Sequence, residues 1–264
     1  MQIKFITLNI WHGGKLFNEA LQFLKSEKPD ILFLQEVYDG KNQTLEKRLR
    51  TIEIFNQELQ YPHYNFAPKI LDVKDVGKIP QGNALFSKFP VTPQTTIFFH
   101  SLYGKFSEDE ETDWTQWPSL AQHVQIHAGD NTIDAFNVHG PWELSGGDNK
   151  QRLKMSRMIV ENVKGKNHVI LAGDFNVRPD TKTIRNIEKH LTNVFKGELK
   201  TTFNMRQKTN PGFATAVVDY LFVSPDIKVE KKFCPQVNIS DHFPLIAILN
   251  LPDRQESPER ELTD

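Results

Sequence analysis

Short apolar runs alternate along the chain with stretches where apolar residues return every three or four positions, the mark of strands interleaved with helices. The run 3–8 predicts a strand, and Phe17, Ala20, Leu21 and Leu24 share a helical face that ends before Pro29. A second buried strand is expected at 31–34, and a helix through Leu45, Leu49, Ile52 and Leu59. Beyond Gly82 strands crowd together, at 83–87, 95–99, 120–126 and 132–138, the last two joined by the turn sequence Ala128-Gly129-Asp130-Asn131. Met155, Ile159 and Val163 predict a helix leading into a strand at 169–172, and Asp180 reads as the N-cap of a shorter helix. Strands at 217–223, 227–233 and 245–251 complete an α/β pattern.

No linker or solenoid repeat interrupts this order, so 1–251 read as one catalytic domain. The polar stretch 252–264 reads as a disordered tail. A formal net charge of -1 provides no global field for nucleic acid or anionic membrane, which argues against a tight nonspecific DNA binder. Cys234 is the single cysteine, so no intramolecular disulfide can form. With neither a signal-like segment nor an apolar run of spanning length, no stable membrane insertion is expected, and the cytoplasm is the expected compartment.

Chemistry enters where the apolar runs stop. Asn9 follows the run 3–8, Glu36 follows 31–34, His139 follows 132–138, and Gly173-Asp174-Phe175-Asn176 follows 169–172. Four strands thus release acid–base or metal-binding groups at their C-terminal ends, where layered α/β folds assemble sites. Taken singly, each residue also fits a turn, a cap or a solvated loop. Asp219 shares a strand face with Val217, Leu221 and Val223, where an unpaired carboxylate would be costly. The far nitrogen of an active-site imidazole would satisfy it. Ser240-Asp241-His242 offers a nucleophile, an acid and a base, but adjacent residues rarely converge, and no Gly-x-Ser-x-Gly elbow is present. Metal and water activation suits the pool of carboxylates better.

These residues, taken in order, resemble the endonuclease/exonuclease/phosphatase superfamily with its deoxyribonuclease I-like fold. The matching blocks are Thr7-Leu8-Asn9-Ile10, Leu34-Gln35-Glu36-Val37, Gly82-Asn83-Ala84, Asn137-Val138-His139, Gly173-Asp174-Phe175-Asn176, Val218-Asp219-Tyr220-Leu221-Phe222-Val223 and Ser240-Asp241-His242. The resemblance implies a four-layer α/β sandwich, two mixed sheets face to face with helices outside. It further implies hydrolysis of phosphoesters with Mg²⁺, or with Mn²⁺ in its place. By the same resemblance Glu36 is the main metal ligand, with Asn9 and Asp241 nearby, and Asp174 orients or deprotonates the attacking water. Asn176, His139, His242 and Asn83 would contact the phosphate, His242 also acting as an acid–base partner. His139 and Asp219 would form a second imidazole–carboxylate pair.

The implied substrate is a phosphoester, either nucleic acid or a small phosphodiester, with a nuclease or phosphodiesterase first. A phosphatase or sphingomyelinase-like hydrolase is the alternative, and an inactive binding module ranks last because the motif set is intact. No obligate protein partner is evident. The blocks that mark abasic-site nucleases and inositol phosphatases are missing. The strand opening Trp117-Pro118-Ser119-Leu120 lacks the basic residue some members place there, which leaves phosphate grip to His12, Arg178 or Arg206. The acidic insertion 107–117 reads more readily as a solvated loop than as a lid. Trp11, Trp114, Trp117 and Trp142 read as core or rim packing ahead of base stacking.

Overall fold

Strands and helices alternate as β1 (Gln2–Asn9), α1 (Phe17–Glu27), β2 (Ile31–Tyr38), α2 (Thr51–Leu59), β3 (His63–Lys74), β4 (Gly77–Ser87), β5 (Val91–Phe98) and β6 (Lys105–Phe106). They continue as β7 (Leu120–Ala128), β8 (Asn131–His139), α3 (Lys150–Val163), β9 (Val169–Asp174), α4 (Lys182–Glu188), β10 (Thr192–Asn193), β11 (Asp219–Val223), β12 (Lys228–Phe233) and β13 (Leu245–Asn250). This computed structural model describes residues 1–110 and 113–252, so the expected tail 252–264 lies, but for its first residue, outside the described residues.

Two mixed sheets result, ordered β12-β13-β1-β2-β4-β3-β6 and β10-β11-β9-β8-β7-β5. Each is built around a parallel pair joined by a helix, β1-α1-β2 in one and β8-α3-β9 in the other. A parallel pair brings two C-terminal strand ends to the same edge, and two such pairs face each other here.

Alternation along each strand sorts side chains between the two faces. Ile3 and Phe5, Ile31 and Phe33, Ile133 and Ala135, Ile170 and Ala172, and Leu221 and Val223 belong to the apolar layer between the sheets. On the outer face of the first sheet, Ile6, Leu8, Leu32 and Leu34 meet Phe17, Ala20, Leu21 and Leu24 of α1 and Ile52 and Phe55 of α2. On the outer face of the second, Phe136, Val138, Leu171 and Phe222 meet Met155, Ile159 and Val163 of α3 and Ile184 and Ile187 of α4. These three apolar layers bind a helix–sheet–sheet–helix sandwich. The face of α1 follows the i, i+3, i+4, i+7 spacing, and the helix stops where Lys28 turns left-handed and donates its N–H to Leu24 O. Leu24 is 1% exposed, so Leu24→Ala would cost about 2–5 kcal/mol.

The structure departs from the sequence reading in several places, the two-residue strands β6 and β10 among them. The helix expected through Leu45 and Leu59 divides into a 3₁₀ turn, Lys47–Arg50, and α2, with Thr51 Oγ1 donating to Arg48 O at 2.7 Å. The N-cap of α4 is Thr181 rather than Asp180, and its hydroxyl accepts from Ile184 N. β3 was not anticipated, because its half-buried sequence lacks a clean alternation. Among the described residues no helix is long and apolar enough to cross a membrane.

At one end of the sandwich the inward positions turn polar. Gln35 Nε2 donates to Thr7 Oγ1 at 3.1 Å and across the sheets to Asn137 Oδ1 at 2.7 Å. Asn137 Nδ2 lies 3.1 Å from Leu34 O, 3.0 Å from Ala84 O and 3.2 Å from Gln122 Oε1. This buried amide band is the foundation on which the functional residues stand.

Candidate active site

The parallel pair of the first sheet supplies Asn9 and Glu36. β2 carries a bulge between Leu34 and Val37, and Glu36 adopts a left-handed backbone, φ 62°. A non-glycine residue in that region is uncommon, and the bulge directs Glu36 into the cleft. Asn9 Nδ2 donates to Glu36 Oε1 at 2.9 Å and to Asp174 Oδ2 at 3.1 Å, while its Oδ1 accepts from Trp11 N at 3.0 Å. His12 N donates to Glu36 Oε2 at 2.8 Å.

The opposite sheet supplies His139, Asp174 and Asp219, aligned on neighbouring strands: His139 pairs with Asp174, and Asp174 with Asp219. Gly173 permits this close register, because its φ is +136° and a Cβ there would lie 2.1 Å from Val138 O. Asn176 N donates to Asp174 Oδ1 at 2.9 Å, and Asn176 Nδ2 donates to Gly140 O at 3.2 Å. His242 Nδ1 lies 2.8 Å from Asp219 Oδ2, and its Nε2 lies 3.8 Å from Asp174 Oδ2. Ser240 serves the backbone: its hydroxyl donates to Asn9 O at 2.6 Å, tying the segment before β13 to β1.

Position therefore joins Asp219, His242, Asp174, Asn9 and Glu36 into one polar chain between the sheets. Burial opposes charge on His242, but Asp219, Asp174 and Asp241 outweigh it and raise its pKa to about 10. Burial raises Asp174 to about 7, with Asp219 adding to the effect and His242 opposing it. Glu36 is also buried, yet His12, His139 and Lys69 hold its pKa well below the usual carboxylate range. His139 falls to about 3 through burial and the adjacent Lys69.

Three expectations need correction. Asp219 orients His242 and not His139, whose Nδ1 faces Lys69 Nζ at 3.3 Å. Asn83 is fully buried between the sheets, donates to Asn137 O at 2.9 Å and does not line the cleft, so it is out of place for a phosphate contact. The insertion is not a free solvated loop: Glu108 N donates to Asp72 Oδ1, its carboxylate accepts from Tyr38 Oη at 2.7 Å, and it is ion-paired with His12. β6, paired with β3, fastens this strap beside the cleft.

Of the suggested phosphate grips, His12 lines the cleft, whereas Arg178 and Arg206 do not. Lys69 and Lys208 line it instead, and neither was expected. Lys69 sits at a bulge between Pro68 and Ile70; a proline inside a strand is the sequence signal for such a bulge. Lys208 Nζ lies 2.6 Å from Asp241 Oδ2 on a loop with no periodicity to reveal it.

The family model described as "Endonuclease/Exonuclease/phosphatase family" matches residues 6–242. The chain belongs to this family. Among solved structures it is similar to the endonuclease/exonuclease/phosphatase from Bacteroides vulgatus, at 18% identity and a TM-score of 0.70, with 96% of this chain and 100% of that one covered. A mannosyl-6-phosphatase from Bacteroides thetaiotaomicron has a TM-score of 0.68 at 18% identity over 94% of this chain and 100% of its own. The human Nocturnin catalytic domain with bound sulfate has a TM-score of 0.65 at 16% identity, covering 95% of both chains. No curated protein sequence matches this chain. At these identities the structural likeness carries the fold. Family membership makes the chain a phosphoester hydrolase.

Two sets of residues suit a cation. Asp174, Asp219 and His242 each offer an atom within 4.8 Å of the others and could hold a metal ion. Within that set His242 Nδ1 and Asp219 Oδ2 are hydrogen-bonded at 2.8 Å. Glu36 and Asp241 also bring carboxylates to the cleft, where Lys208 Nζ pairs with Asp241 Oδ2 at 2.6 Å. Carboxylate oxygens are ligands for hard divalent cations. Asn9 stands beside this set: its Oδ1 accepts from Trp11 N and its amide bridges Glu36 to Asp174.

Proposed function

We propose that this chain is a Mg²⁺-dependent phosphodiesterase acting by in-line attack of water. The observation carrying the reading is the buried chain Asp219–His242–Asp174–Asn9–Glu36, with an imidazole and a carboxylate side by side at the cleft floor. The phosphate rests against His139, Asn176 and His242. Asp174, raised to about 7, accepts the proton of a water whose oxygen bonds to phosphorus as the opposite P–O ester bond breaks. The leaving oxygen keeps the bonding pair and is protonated by solvent. His242, held cationic by Asp219, stabilises charge growing on the phosphoryl oxygens. Glu36 and Asp241 would hold Mg²⁺, or Mn²⁺ in its place, which supplies positive charge to the ester oxygens.

A phosphomonoesterase is the second reading. It is favoured by Lys69, Lys208 and His242 in one cleft, three cationic groups suited to a dianion. With bis(p-nitrophenyl) phosphate and Mg²⁺, Asp174→Ala should reduce turnover at least about 10²-fold with an unchanged circular dichroism spectrum. Unaltered turnover, or full activity after chelation with EDTA, would overturn the proposal.

A further inference from the structure

The cleft above this floor is a walled pocket of about 230 Å³. That is below the roughly 300–1,000 Å³ of sites for drug-sized ligands. Its walls are aromatic. From the strap come Trp114 and Trp117, with ring centroids 4.5 Å apart, and from the 203–213 loop come Phe203 and Phe213, also 4.5 Å apart. Trp11 and Trp142 complete the rim, and Trp142 is 40% exposed.

Two buried polar atoms in this lining have no partner among the described residues, the Trp117 Nε1–H donor and the Gln81 Oε1 acceptor. A buried polar atom left unpaired is costly, and a ligand that pairs it removes the cost. The lysines of the cleft lie inside it, whereas the strap turns acidic outward, with the Asp109 side chain 70% exposed. Polynucleotides are bound by cations tracking the backbone across a surface, the reverse of this arrangement.

From these features we infer that the pocket selects a small phosphoester, no larger than a mononucleotide derivative, whose alcohol carries a flat, hydrogen-bonding ring. The ring lies against Trp114 and Trp142, on the side of the cleft lined by Trp117 and Gln81, while the phosphate reaches the floor. Stacking on an aromatic side chain favours such a ring over an open-chain alcohol. This inference rests on the hydrolase reading and names the substrate class of the same site.

With Mg²⁺, kcat/KM is compared for a ring-bearing diester (thymidine 5′-p-nitrophenyl phosphate), a ring-bearing monoester (adenosine 5′-phosphate), ring-less glycerol 3-phosphate and a single-stranded oligonucleotide. Wild-type enzyme should prefer one of the ring-bearing esters over glycerol phosphate by at least about tenfold and leave the oligonucleotide uncut. Trp114→Ala and Trp142→Ala should each lower that preference about tenfold, mainly through KM. Should Trp114→Ala fail to fold, the exposed Trp142 carries the test, together with quenching of tryptophan fluorescence by adenosine 5′-phosphate and not by glycerol phosphate. Comparable rates on the oligonucleotide, or an equal rate on glycerol phosphate, would overturn the inference while leaving the hydrolase reading intact. No hydrolysis of any of them would overturn both.

Discussion

His242 and His139 are buried to nearly the same extent, 5% and 7% exposed, yet the balance of charge around them differs. Asp219 lies against Nδ1 of His242, with Asp174 beyond its other nitrogen, whereas His139 faces the ammonium of Lys69. Burial alone disfavours charge on both rings. Glu36, 3.9 Å from Nε2 of His139, does not offset burial and Lys69 there, whereas Asp219, Asp174 and Asp241 outweigh burial at His242, so one ring rises to about 10 and the other falls to about 3. The floor of the cleft thus holds one cationic and one neutral imidazole. The difference teaches that equal burial sets no common protonation state; the identity of the nearest strand-borne group does.

The largest effect should come from removing the carboxylate. Asp219→Asn leaves His242 without its counter-charge, and kcat should fall about 10²-fold. In the wild type the rate should rise as pH passes through about 7, where Asp174 loses its proton, and fall through about 10, where His242 loses its own. Asp219→Asn should move the alkaline limb to lower pH, and a fixed limb would break the comparison. Lys69→Met should cost about tenfold in kcat/KM by removing a phosphate-facing cation, and it should raise the pKa of His139 as followed by NMR. No change at His139 would show that burial alone keeps it neutral. The smallest effect should be at Asn83. Because that residue is outside the cleft, Asn83→Ala should lower stability by about 1 kcal/mol in urea denaturation with little change in KM; a large rise in KM would return it to the phosphate site.

The floor was legible in the sequence because a buried strand ends in a recognisable way, with an apolar run giving out onto Asn9, Glu36, His139 or Asp174. What was not legible depends on register between distant strands. The choice of Asp219 between two imidazoles is settled only once β11 lies against β9 and the segment before β13 crosses above them. Lys69 was hidden for a related reason, since a bulge inverts the expected facing of its neighbours. Glu108 sits in a run of acids that composition reads as solvated, and only the pairing of β6 with β3 brings it to Tyr38 and His12. The layer structure was readable from periodicity, but β3 was not, because much of its length is half-buried.

The bulge that aims Glu36 has a bearing on how the molecule comes together. Leu34 O and Ala84 O, beside the break in the β2–β4 ladder, are both met by the Asn137 amide from the facing sheet. The first sheet alone would leave these carbonyls to water, free to close into regular pairing that withdraws Glu36. The productive shape of β2 is thus a property of the two docked sheets together and not of either alone.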